Sequence, residues 1–292
     1  MTWLLWSGVA LCLVAAAVSG VSAYGSRQWA HMAQAQSSQL EAARVGPDGN
    51  PTHLTRYNCR ELEGLPAPVQ RYFRMVLTEG QPIIAGANID VAGTFNMDAT
   101  GEQWKRFTSR QRVVTQRPGF FWDASIAMFP GLQVRVVDSY IAGTGRLHAA
   151  ILGLFTMADL SGGGEIARGE FMRYFAEAPW YPTALLPSQG VRWQAVDDRS
   201  ANATITDGPL TLTLLFRFNE AGLIASFRAE ARGSAGAGKE MVMLPWEGSW
   251  TSYQKRDGMT VPLTGEVAWM RREGRKPYFV GNVTSLTYEF AP

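Results

Sequence analysis

The stretch Leu210-Thr211-Leu212-Thr213-Leu214-Leu215-Phe216-Arg217-Phe218 decides the fold class. Leu210, Leu212, Leu214, Phe216 and Phe218 fall at every second position, with Thr211, Thr213 and Arg217 between them and Leu215 as the exception. Successive side chains of a strand point to opposite faces, so this period describes a strand with one buried and one wet face. Asn219-Glu220-Ala221-Gly222 follows as a turn. Leu223, Ala225, Phe227, Ala229 and Ala231 then alternate with Ser226, Arg228, Glu230 and Arg232. The pair predicts an antiparallel β-hairpin.

The pattern spreads both ways from there. Downstream, Trp246, Gly248 and Trp250 alternate with Glu247, Ser249 and Thr251. Asp257-Gly258 is a hairpin turn signal, since both residues tolerate positive φ. Val261 and Leu263 begin the return strand, Val267 and Trp269 continue it, and residues 271–277 turn into a last strand through Val280, Leu286, Tyr288 and Phe290. Upstream, Ile89, Val91, Phe95 and Met97 alternate with Asp90, Thr94 and Asn96; Phe120, Trp122, Ala124, Ile126 and Met128 alternate with Asp123 and Ser125; Val134, Val136 and Tyr140 share one face. Strands joined by hairpin turns predict a mainly β fold: a curved antiparallel sheet, half-barrel-like. A flat two-sheet sandwich satisfies the same alternation. Two helical stretches interrupt the strands, at residues 67–77, opened by prolines, and at residues 170–177, closed by Pro179. Two or more such helices are expected to cover the concave face of the sheet.

Hydrophobic residues make up 46% of the chain and charged residues 18%, which places it among globular rather than disordered proteins. A net charge of +2 gives no basis for nucleic acid as a partner. The N-terminus carries a different signal. Residues 2–23 contain no charged side chain, a run long enough for a membrane helix, with Trp3 and Trp6 suited to an interface. Val21-Ser22-Ala23 resembles a cleavage site, but no Lys or Arg precedes the apolar run, which favours an uncleaved anchor over a signal peptide. The expected organisation is a transmembrane anchor or signal segment over 1–25, a helical tether and linker over 26–61 with turn residues at 46–51, and a β-rich globular domain over 62–292. The bilayer is the expected partner of residues 2–24, and the protein is expected to be a single-pass membrane protein. Arg27, read alone, puts the domain in the cytoplasm. Cys12 lies inside the apolar run and Cys59 after it, so no disulfide is expected.

The sequence holds no nucleophile motif, phosphate loop or Cys-x-x-Cys. His148 is the sole histidine of the domain, which argues against a metal cluster or a Ser-His-Asp triad; neither metal nor cofactor is expected. Glu170, Arg173 and Glu177 share one face of the second helix, with Trp180 and Tyr181 just beyond. They form either a solvated face or the wall of a cleft. Arg106, Arg110 and Arg112 share a strand face, as a solvent surface or as contacts for anionic groups. Residues 151–158, the most apolar stretch of the domain, are expected in the core rather than at a membrane or an entry loop.

Several segments resemble a bacterial family of membrane-tethered proteins of unknown function: residues 65–72, 118–124, 173–177, 180–187, 245–248 and 265–269. The resemblance runs from about residue 62 to the end and implies no catalytic residues. The order of strands and helices is similar to the half-barrel of periplasmic lipoprotein carriers, which hold acyl chains between a curved sheet and a helical lid. That likeness implies an extracytoplasmic domain and an apolar or lipid-like ligand. The expected ligand-binding residues are Trp122, Trp180 and Tyr181 as apolar wall, with Arg173 and Glu177 as polar contacts at the mouth. The alternatives are a hydrolase using Glu170 and Glu177 as acid and base in the same cleft, and a structural domain whose aromatic residues fill the concavity.

Overall fold

The computed structural model describes residues 2–44, 55–98, 101–235 and 241–292; at residues 2–5, 8, 10–12, 14, 15, 17 and 235 the description is of the backbone only. The expected linker turn at 46–51, His53 and the side chains of Trp3 and Cys12 lie outside the described residues. Helix α1 (Thr2–Ala42) comes first, followed by a short 3₁₀ turn (Cys59–Leu62) and α2 (Ala67–Val76). β1 (Ile84–Asn96), β2 (Trp104–Val114), β3 (Gly119–Phe129), β4 (Leu132–Ile141), β5 (Thr144–Ile151) and β6 (Phe155–Gly162) form one antiparallel meander. After α3 (Gly164–Ala176) and three 3₁₀ turns comes a second meander: β7 (Arg192–Asp197), β8 (Ser200–Asp207), β9 (Leu210–Phe218), β10 (Ile224–Ala235), β11 (Met241–Arg256), β12 (Met259–Arg271) and β13 (Gly274–Phe290). β13 pairs with β1, so the described strands make one curved 13-stranded antiparallel sheet with β6 and β7 at its edges.

The alternation in the sequence becomes the two faces of this sheet. Phe107, Gln111 and Val113 of β2, Phe120, Trp122, Ala124 and Ile126 of β3, and Tyr140 of β4 belong to the concave side. There the main core collects them with residues of α2 and α3. The Asp257-Gly258 turn has φ of 47° and 82°, the positive pair that a tight two-residue hairpin requires. α2 lays Val69, Tyr72, Phe73 and Val76 on the sheet near β8 and β12, with Tyr72 against Phe218 and Phe73 against Trp193. Each such fully buried aromatic contributes on the order of 1.5–3 kcal/mol. α3 is the connection from one sheet edge to the other. It crosses the concavity and touches β4 and β5 on one arm, β9 and β10 on the other.

The convex side carries a layer of its own. Residues 25–44 pack across β2, β3 and β4, around Trp29, Leu40, Val114, Phe121, Val137 and Ala150. Trp29 donates its Nε1–H to Asp123 (2.9 Å), stacks on His148 (5.3 Å between rings), and lies under the Arg135 guanidinium. At the far end Glu41 pairs with Arg112 (2.7 Å), and Glu289 pairs with both Arg112 and Arg44 (2.6 Å each). Arg112 is thus a docking residue for α1, while Arg106 and Arg110 stay exposed. Packing also reaches upstream of residue 62, since Tyr57 is buried in the main core.

N-terminal to Gly25 the helix leaves the sheet, and Trp6, Val9, Leu13, Val18, Val21 and Tyr24 are exposed. Among the described residues no helix is long and apolar enough to cross a membrane. One expectation is corrected. Residues 151–158 are not core: they form the β5–β6 hairpin at the sheet edge, where Phe155 and Met157 are 60% and 55% exposed. β6 is an edge strand and has a strand neighbour on one side only.

Candidate ligand-binding site

α2 and the 3₁₀ turns fill one end of the concavity. The other end holds a cavity of about 440 Å³ between α3 and strands of both arms. Its wall is mostly aromatic and aliphatic. Trp122 comes from β3, Trp246 and Trp250 from β11, Trp269 from β12, Tyr278 and Phe279 from β13, and Trp180 from the turn after α3. Trp180 and Trp250 meet edge-on at 4.9 Å, and Phe227 lies 4.8 Å from Trp246. Two glycines make room for these rings. A Cβ at Gly248 would sit 2.4 Å from the Phe227 ring, and one at Gly265 would sit 2.7 Å from Trp250.

Nine charged side chains line the cavity, and five of them, Asp138, Glu170, Arg173, Glu177 and Arg232, form a cluster against α3 that interrupts the apolar wall. Arg173 is fully engaged. It bonds Asp138 at 2.5 Å and Glu177 at 2.8 Å, reaches Gln111 at 3.4 Å, and lies 4.5 Å from the Trp122 ring centre and 5.1 Å from that of Phe120. Burial alone would lower its pKa, but Glu177, Asp138 and Glu170 raise it, so it stays a cation. Glu177 is equally held: one oxygen takes the Arg173 bond and the other accepts from Gln111 at 2.6 Å. Arg232 is held more loosely. It lies over Trp246 (4.2 Å) and Trp269 (5.7 Å), and Glu170 approaches no nearer than 3.8 Å.

Glu170 is 6% exposed. Burial, reinforced by the nearby negative charge of Asp138, pushes its pKa up to about 8 against the pull of Arg232 and Arg173. Burial also raises Asp138, with Arg173 opposing. At neutral pH Glu170 therefore holds its proton. Asp138 and Glu177 both bond to Arg173, whereas Arg232 has Tyr278 beside it and no carboxylate nearer than Glu170 at 3.8 Å. Several buried polar atoms on these lining residues have no protein partner: Oε2 of Glu170, Oδ1 of Asp138, Nε of Arg232, and the indole nitrogens of Trp180 and Trp250. Each such atom costs roughly 1–3 kcal/mol. Among the described residues no group of three His, Cys, Asp or Glu is placed to hold a metal ion.

Of the residues expected from sequence, Trp122, Arg173, Glu177 and Trp180 line the cavity, and Glu170 does so too. Arg173 and Glu177 lie inside it, each with a side chain 13% exposed, rather than at a wet mouth. Tyr181 does not reach it: its side chain is fully buried and its hydroxyl donates to the carbonyl of Tyr174. Asp138, Gln111 and Arg232 were missed. Asp138 and Gln111 had a signal, a polar residue at the inward parity of an otherwise apolar strand face. Arg232 had the opposite signal, since parity from Phe227 points it outward. A β-bulge between Ala229 and Arg232 turns it inward.

Solved structures similar to this chain include a LolA-superfamily protein from Nitrosomonas europaea, at 11% identity and a TM-score of 0.40, covering 78% of this chain and 96% of that one. A putative outer membrane lipoprotein-sorting protein domain from Vibrio parahaemolyticus matches at 9% identity and a TM-score of 0.39, over 70% and 86% of the two chains. A β-barrel-like protein of the domain of unknown function DUF1849 from Brucella abortus matches at 9% identity and a TM-score of 0.23, over 71% and 99%. No curated protein matches the sequence. The model of one family matches residues 63–288, most of the chain, and the chain belongs to that family: DUF6920, a family of unknown function.

Proposed function

We propose that the protein binds an amphipathic, lipid-like molecule in the cavity between α3 and the sheet, held to a membrane by residues 2–24. The observation that carries this reading is the loose Arg232–Glu170 couple inside an aromatic cavity of about 440 Å³. That volume falls within the roughly 300–1,000 Å³ usual for small-molecule sites, which are mostly apolar with a few placed polar groups. A buried guanidinium facing a protonated carboxyl is unfavourable unless something else supplies an acceptor. The donors, Arg232 and the Trp180 and Trp250 indoles, suit an oxygen-rich head such as a carboxylate, ester or phosphate. The apolar chain would lie along Trp122, Trp246, Trp269 and Phe279.

The hydrolase alternative is less well supported. Glu170 is protonated as an acid should be, but each oxygen of Glu177 already accepts a hydrogen bond, from Arg173 and from Gln111, so its first role is as counter-ion to Arg173 rather than as base for a water. The test uses the space beside Gly169, where a Cβ would meet only the Arg232 side chain at 3.7 Å. The full chain, purified in detergent and exchanged into vesicles, is expected to retain a chain-bearing lipid detectable by native mass spectrometry. Gly169→Met should fill the cavity and abolish that species while keeping the melting temperature. Equal recovery from both proteins would refute the site.

A further inference from the structure

We propose that the cavity opens onto the bilayer, so that its ligand enters and leaves directly through the membrane surface; this rests on the binding reading above. The two ends of the sheet differ. At one end α2 and the 3₁₀ turns pack over the strand termini. At the other, the cavity rim is formed by Met97 and Asp98 after β1, by Arg271 and Lys276 around the β12–β13 turn, and by Met241 at the start of β11. The direction of α1 relates these ends to its apolar half. Leu40 sits on Gly119, and Arg44 pairs with Glu289, at the filled end. Gly25 lies against the 152–154 turn of the β5–β6 hairpin, at the open end. The helix upstream of Gly25 therefore continues past the rim and carries its exposed Val9, Leu13, Val18 and Val21 to that side.

The surface around the rim fits the same partner. Outside α1, the exposed large hydrophobic side chains of the described residues are Met75, Trp104, Phe129, Phe155, Met157, Leu160, Val196, Val242 and Met243. Six of these nine, Trp104, Phe129, Phe155, Met157, Val242 and Met243, belong to strand ends or turns at the open end. Clustered exposed apolar groups mark an interaction surface, whereas scattered ones need no explanation. Lys105, which lies over the Phe129 ring, and Arg271 and Arg272 add positive charge there, complementary to anionic head groups. An aromatic and basic collar beside an apolar helix suits the membrane–water boundary.

The experiment places an environment-sensitive fluorophore at Phe155→Cys or at Glu220→Cys, in a full chain carrying Cys12→Ala and Cys59→Ser. Glu220 lies in the β9–β10 turn at the filled end, and both side chains are exposed, so labelling should leave the fold intact. The protein is reconstituted in vesicles of phosphatidylcholine and phosphatidylglycerol, with nitroxide-labelled phosphatidylcholine as quencher. The label at 155 is expected to shift to shorter wavelength and lose most of its emission to the quencher, with the label at 220 unaffected. Equal quenching at both positions, or none at 155, overturns the proposal. Lipid recovery by mass spectrometry is scored separately. Recovery without quenching at 155 sinks the membrane-facing rim and leaves the ligand reading standing. Quenching without any recovered lipid does the reverse.

Discussion

Replacing Glu170 by Gln tests the electrostatics of the cavity through stability. The folded protein holds this carboxyl at about 8, whereas the unfolded chain ionises it near 4.5. The sign follows from proton counts. Below pH 4.5 the group is protonated in both states and costs nothing. As pH rises the unfolded chain releases the proton first, so stability falls, and the cost is complete above about pH 8. Each unit of difference is worth about 1.36 kcal/mol, giving on the order of 5 kcal/mol as an upper figure. Glu170 shares its surroundings with Asp138, so the variant should recover part of it, about 2–4 kcal/mol. For a domain of this size that corresponds to roughly 5–15 °C in melting temperature. Glu170→Gln should therefore match the parent near pH 5 and melt well above it near pH 9, measured by circular dichroism across the range. Glu41, Glu230 and Glu289 have lowered pKa values and weaken both proteins alike in acid, so the difference between the two curves isolates position 170. Parallel curves would mean that Glu170 is ionised in the folded state, and the account of Arg232 as the unpaired cation would fail with it.

Arg173→Met should cost about 3–5 kcal/mol, because it strands Asp138 and Glu177 as buried charges. Adding Asp138→Asn and Glu177→Gln should restore much of that in urea titrations, and a triple variant no more stable than the single one would count against the ion-pair account. Trp29→Ala should cost about 3 kcal/mol and expose residues 26–44 to limited proteolysis. An unchanged digest would show that α1 is not bound to the sheet. A ligand with an anionic head should bind about tenfold more weakly above pH 8 than at pH 6–7, as Glu170 ionises beside it; a pH-independent affinity by titration calorimetry would place the head elsewhere.

The strands that bury one face were legible, and Leu210 to Phe218 shows the principle at its cleanest, whereas β6 and β7 at the sheet edges are exposed on both faces and leave no alternation to read. What parity could not supply was the pairing of β1 with β13, which depends on strands far apart in sequence. It also could not supply the bulge that turns Arg232 inward, since one extra residue reverses every facing beyond it. α3 begins at Gly164, earlier than the expected residue 170, because Gly163 and Gly164 read as a turn and Gly169 is a poor helix former. Gly169 sits where a larger side chain would occupy the cavity. The apolar hairpin at 151–158 misled for a different reason: hydrophobicity records that a residue avoids water, without telling a core from a surface that meets another apolar phase. Trp29 and Leu40 likewise read as tether, because a single packed face on an Ala- and Gln-rich helix leaves little trace in composition.

The seam between β1 and β13 also bears on how the chain reaches this state. Ile84 pairs with Phe290, so the middle of the sheet joins the first strand to the last. Each meander can form from neighbours in sequence, but the seam needs an excursion through almost the whole domain, and such long loops close slowly. During synthesis β1 waits with one edge unpaired until the final residues emerge. For that interval the chain is two half-sheets, each with an open strand edge ready to pair with another copy. Losing β13 would therefore do more than shorten the sheet, since it would cut it at its centre and leave the two arms joined through α3 and a few side-chain contacts such as Tyr140 with Asp207.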